Sequence, residues 1–143
     1  VDAYGPGIPI GGGALSGKDP HKVDRIGALR ARQIAKAVVK LGLAQEALVK
    51  LSFVPGADRA NLLEILTDQG PLPQNVLRGW EEAYDLSIEA SFRELGLKDV
   101  LWESHAAWGH FTQSQAPWEN LSKTAERVTT NKGGTAHEKH AAF

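Results

Sequence analysis

The sequence predicts an α+β fold in which helices accompany an antiparallel pair of strands. Three observations predict it. Apolar residues recur at helical spacing over a long stretch from Pro20 to Leu41 and again in two shorter stretches, Asn75–Tyr84 and Ser87–Leu95. Between the long helix and the short ones, Ala47–Val54 alternates apolar and polar residues and Asn61–Thr67 forms a second strand. The intervening Pro55-Gly56-Ala57-Asp58 is a turn, which makes the two strands an antiparallel pair.

Taken in order, Val1–Tyr4 is a short strand candidate. Gly5–Ser16 is a loop, because Pro6 and Pro9 suit neither a helix interior nor a central strand. Asp19 occupies an N-cap position with Pro20 at the first helical position, and Val23, Ile26, Ile34, Val38 and Leu41 mark the buried stripe. Gly42 ends that helix. In the first strand Ala47, Val49, Leu51 and Phe53 face one way, with Lys50 and Ser52 on the other. Gly70–Pro73 reads as a loop. Asn75 caps the next helix, with Val76, Trp80 and Tyr84 on its inner face. Ser87 caps the one after, which ends at Gly96. Val100–Phe111 is apolar and aromatic but irregular. The domain runs over 1–121, followed by a polar tail at 122–143 with a break at Asn131-Lys132-Gly133-Gly134.

Length and composition bound the function. The 143 residues make one domain with a modest core, and 42% apolar with 23% charged residues is ordinary for a globular chain. No apolar run reaches a membrane span and no secretory signal is visible. With no cysteine there is no disulfide and no thiolate metal site, which agrees with a cytoplasmic location. The net charge of −1 hides an asymmetry: residues 1–50 carry eight Lys/Arg against four Asp/Glu, and residues 51–143 carry eight against thirteen. The positive part suits a polyphosphate partner. Arg30, Arg32, Lys36 and Lys40 read as the solvated face of the long helix. Nucleic-acid binding is disfavoured by the slightly negative total and the lack of a recognition motif. There is no methionine, even at position 1, and the chain starts inside a candidate strand; we expect a processed product, a trimmed one, or one part of a longer gene product.

The chemistry concentrates in Gly11–Arg25, GGGALSGKDPHKVDR. Three consecutive glycines permit positive φ and close approach of a ligand. A loop of this kind feeding a helix N-terminus binds anions through free N–H groups and the helix dipole. Lys18 and Lys22, four residues apart, bracket that mouth. Asp24 can hold Mg²⁺ or orient a lysine, and its blander role is to complement the dipole. The stretch fits neither common phosphate motif: Asp19 stands where a hydroxyl residue would follow the lysine, and the third glycine of the dinucleotide fingerprint is Ser16. Spacing alone therefore gives an anion loop. His105 and His110 read as packed structural histidines. His137 and His140 lack a third metal ligand, and Ser16 lacks the strand-to-helix elbow of a nucleophile.

GGGALSGKDPHKVDR closely resembles the glycine-rich signature of the methionine adenosyltransferases (S-adenosylmethionine synthetases), Gly-Gly-Gly-Ala-Phe-Ser-Gly-Lys-Asp continuing Pro-x-Lys-Val-Asp-Arg, with Leu15 in place of phenylalanine. Val1-Asp2-Ala3-Tyr4-Gly5 resembles the strand before it. Ala106-Ala107-Trp108-Gly109-His110-Phe111 and Pro117-Trp118-Glu119 resemble the closing Ala-Ala-Tyr-Gly-His-Phe and Pro-Trp-Glu. Coverage is about Val1 to Glu119. The resemblance implies one of the family's repeated α+β units, a mixed or antiparallel sheet with helices packed on one face, and a reaction joining ATP to L-methionine, with Mg²⁺ and K⁺ as cofactors. It implies that Lys18 contacts the phosphates, that Ala14 lies against the nucleotide through its backbone, that Lys22 reaches the methionine or phosphate region, and that Asp24 serves the Mg²⁺ site. Two prolines stiffen the approach, Gly5-Pro6-Gly7-Ile8-Pro9-Ile10. Pro55 replaces the family isoleucine that helps hold the adenine ring. The Gly-His-Pro-Asp segment, the potassium-binding glutamate and the Arg-Lys pair before the strand are not in this chain. The resemblance therefore implies a C-terminal portion that needs a second polypeptide, in an oligomer with active sites between subunits. A non-catalytic nucleotide-binding or regulatory subunit is the alternative.

Overall fold

The computed structural model describes Tyr4 and residues 7–121. The strand expected at Val1–Tyr4, except for Tyr4 itself, and the tail with its histidine pair lie outside the described residues. Helix α1 runs over Val23–Lys40, strands β1 and β2 over Ala47–Phe53 and Ala60–Thr67, and β3 over Gly70–Pro71. Helices α2, α3 and α4 follow at Gln74–Ala83, Ile88–Glu94 and Trp102–Trp108, with single 3₁₀ turns at Leu97–Asp99 and Pro117–Glu119. The sheet is antiparallel throughout in the order β1-β2-β3.

Two buried clusters meet along α1. Its C-terminal half places Ile34, Ala37 and Val38 against Val49 of β1, Leu62 and Ile65 of β2, and Leu77 and Trp80 of α2. The helices thus cover one face of the sheet. The other face carries the Lys50–Glu64 pair and exposed Leu63. The N-terminal half of α1 places Ile26 and Leu29 against Leu95, Leu97, Ala116 and Trp118. Phe53 packs on both clusters. Gly27 is where α1 crosses it: a Cβ there would lie 2.7 Å from Phe53 Cε2. Gly27→Ala is therefore expected to cost about 1–3 kcal/mol by overpacking; an unchanged urea midpoint would contradict this.

The β1–β2 hairpin agrees with the sequence reading. Ala57 N–H donates to Val54 C=O at 2.9 Å, and Gly56 at the second central position has φ +82°, which makes this a type II turn with Pro55 at its first central position. A bulge between Lys50 and Leu51 shifts the register, so that Leu51 pairs with Leu62.

Several expectations are corrected. Helix α1 begins at Val23, with Lys22 as its cap residue, not at Pro20. The Asp19 carboxylate accepts from the His21 N–H at 2.8 Å, which closes a local turn in place of capping the helix. That bond holds the Asp19 pKa below the ordinary carboxylate value. The second cap is also displaced: Pro73 precedes α2, and no side chain caps it, so Asn75 lies inside the helix. Gly70–Pro71 pairs with β2, because the Thr67 hydroxyl donates to Gly70 C=O at 2.7 Å and draws the chain back along the sheet edge, where proline needs no N–H. The irregular aromatic stretch contains α4. Ser87 behaves as expected, its hydroxyl accepting from Ala90 N–H at 3.2 Å.

The solvated basic face is the largest correction. Arg30 is 2% exposed and donates to Gln33, the Asp85 carbonyl and Glu94. Arg32 and Lys36 both pair with Glu119, whose side chain is 4% exposed. Of the four, Lys40 is exposed as expected. Gln33 lies one turn along α1, but the carboxylates come from α3 (Glu94) and the C-terminal 3₁₀ turn (Glu119), remote in sequence.

Candidate active-site loop

The loop before α1 has the backbone its glycines imply: Gly12, Gly13 and Gly17 have φ of +76°, +72° and +81°. Gly12 is doubly constrained, since a Cβ there would lie 2.2 Å from Asp24 Cγ. Leu15, where the resemblance expects phenylalanine, is fully buried, while Ala14 stays exposed.

Two of the four expected site residues meet. Lys18 Nζ lies 3.1 Å from Asp24 Oδ2 and also donates to the Gly12 carbonyl. The Asp24 carboxylate remains 39% exposed, so it can turn to another cation while Lys18 turns to an anion. Lys22 is exposed at the helix cap, and its side chain forms no ion pair among the described residues. No side chain caps the α1 N-terminus, which leaves its dipole to complement an anion. Pro55 sits in the exposed hairpin turn.

Sequence reasoning missed the residues that hold the loop from below. Arg25, 2% exposed, donates to the Lys18 carbonyl and lies 2.8 Å from His110 Nε2, with its guanidinium 3.8 Å above the Trp102 ring. The His21 ring stacks on Phe92 of α3 at 3.8 Å between centroids. Arg25 shares a helical face with Ile26 and Leu29, and a cation on an apolar stripe was the available signal. His105 and His110 are buried, as expected of packed histidines, at 6% and 0% exposure.

Burial, with a smaller contribution from the Arg25 charge, lowers the His105 pKa below the ordinary imidazole value. The unfolded chain then takes up a proton where the folded chain does not, so stability is full above about pH 6.5 and declines as pH falls below it. Urea midpoints should therefore drop more between about pH 7.5 and about pH 5 for the parent chain than for His105→Asn. Parallel pH profiles would contradict the assignment.

A separate apolar cleft of about 610 Å³ lies between α1 and β1, lined by Tyr4, Ile8, Pro9, Ala31 and Leu48 among others. Lys18, Lys22 and Asp24 are not among its lining residues.

The family model described as S-adenosylmethionine synthetase, C-terminal domain, matches residues 1–120. The chain belongs to that family. It is 40% identical over 127 residues to the S-adenosylmethionine synthase of Deinococcus deserti, covering 86% of this chain and 31% of that protein. It is also 40% identical over 125 residues to that of Thermus thermophilus, covering 86% of this chain and 32% of that one. A solved structure described as an unusual S-adenosylmethionine synthetase from Campylobacter jejuni superimposes with a TM-score of 0.79 at 30% identity, over 91% of this chain and 36% of the other. This synthetase-family chain thus spans about a third of the length of the curated relatives it matches. Its α+β architecture is that of the solved synthetase. Among the described residues, no helix is long and apolar enough to cross a membrane.

Proposed function

We propose that this chain is the C-terminal portion of a cytoplasmic methionine adenosyltransferase that makes S-adenosylmethionine from ATP and L-methionine. The observation that carries the reading is the Lys18–Asp24 pair, placed where a glycine loop of positive φ meets the uncapped start of α1. In the reaction the methionine sulfur attacks the ribose C5′. The new S–C5′ bond forms as the C5′–O bond breaks, and the triphosphate leaves with the bonding electrons before it is hydrolysed to phosphate and diphosphate. No proton moves at carbon, so catalysis lies in positioning and in cations around the leaving group.

In this reading Lys18 exchanges Asp24 for a phosphate oxygen, and the Ala14 backbone lies along the nucleotide. Lys22 reaches the methionine or phosphate region. Asp24 is the oxygen donor this chain offers to Mg²⁺, which commonly takes one or two carboxylates and completes its shell with water and phosphate. When bound, Mg²⁺ would neutralise the departing triphosphate; K⁺ would depend on residues of the second chain.

The test is reconstitution. The chain should form no S-adenosylmethionine alone and should form it when mixed with a polypeptide carrying the family's N-terminal portion, in an oligomer visible by native mass spectrometry. Equal turnover without the partner would overturn the two-part reading, and no turnover with it would overturn the enzymatic one.

A further inference from the structure

We infer that Arg25 is a positioning residue that fixes the glycine loop from inside the core, and that the closing segment of the chain holds Arg25 in turn through His110 and Trp102. The guanidinium makes three contacts at once. Its Nη1 donates to the Lys18 carbonyl, its Nη2 lies 2.8 Å from His110 Nε2, and its plane lies 3.8 Å from the centre of the Trp102 ring. Guanidinium is always protonated, so His110 Nε2 must accept and the imidazole proton resides on Nδ1. His110 is fully buried, and its own carbonyl accepts from Trp118 Nε1 at 2.6 Å. The relay therefore runs from the C-terminal 3₁₀ turn through His110 and Arg25 to the backbone of Lys18.

Its consequence is directional. Holding the Lys18 carbonyl sets where that side chain starts, and from there Nζ reaches Gly12 and Asp24. A planar fork can grip a carbonyl and an imidazole together while stacked on an indole; an ammonium cannot do all three. The closing segment thereby sets the order of a loop that precedes Arg25, itself 85 residues before His110 in the chain.

The inference rests on the phosphate-binding reading only for what the ordered loop serves. Its test needs no nucleotide. Backbone ¹⁵N relaxation on the full chain should give order parameters near about 0.85 for Leu15–Lys18 and values below about 0.6 in Arg25→Met, with the sheet and α1 unchanged. His110→Phe removes the acceptor without touching the loop and should loosen it likewise. His110→Gln restores an acceptor and should restore order. A loop already mobile in the parent chain, a loop that stays ordered in the Met and Phe variants, loosening throughout the fold, or failure of the glutamine rescue would each overturn the inference. If Arg25→Met does not fold, the two His110 variants decide. An ordered, Arg25-dependent loop in a chain that never yields S-adenosylmethionine with its partner would sink the enzyme reading and leave this one standing.

Discussion

Lys18→Ala in the enzyme assembled with its N-terminal partner is expected to lower kcat/KM for ATP by roughly 10²–10³-fold, the loss seen when one preorganised charge-stabilising donor is removed. That corresponds to about 3–4 kcal/mol of transition-state stabilisation. The fold should hardly register the change. The pair it breaks is partly exposed, at 20% and 39% for the two side chains, and such pairs contribute about 0–1 kcal/mol. Asp24, left without its lysine, still faces water. A large kinetic loss beside a small shift in urea midpoint thus separates catalysis from support. Unchanged turnover with altered assembly would favour the non-catalytic subunit instead, a role in which the loop organises an interface and the cation has no leaving group to meet.

Trp118→Ala should do the reverse, at a cost to stability of about 3–5 kcal/mol. Trp118 is fully buried, its ring lies 4.7 Å from that of His105 and 5.9 Å from that of Trp102, and its Nε1 donates to the His110 carbonyl. Truncation opens a cavity and orphans a buried carbonyl together, and neither is easily relaxed by the surrounding aromatic rings. A domain of this size has only about 5–15 kcal/mol in total, so the variant should unfold at much lower urea by circular dichroism. A loss under about 1 kcal/mol would mean that the second cluster is not a packed core.

How much was legible in the chain varies with the range of the interaction. The β1–β2 hairpin was readable because alternation, proline and glycine act within a few residues, and the structure keeps Ala47–Phe53 as a strand. The Ser87 cap was readable for the same reason. The start of α1 was not. Asp19 has a competing local partner in the His21 N–H, and His21 itself is drawn to Phe92 on another helix. The glycine loop was legible as backbone: positive φ at Gly12 and Gly13 is a conformation that the residue type permits at little cost. What lay beneath it was legible only in part: Arg25 stands on the apolar stripe of α1 with Ile26 and Leu29, but its partners His110 and Trp102 are remote in sequence.

The sequence by itself determined the α+β class, the hairpin and the glycine loop, because propensity, periodicity and turn chemistry are properties of neighbouring residues. Only the tertiary structure decided which charges are interior. Arg32 meets Glu119 across 87 residues and Arg25 meets His110 across 85, so their burial depends on groups that sequence spacing does not bring together. A charge enters a core only when its partner is already there.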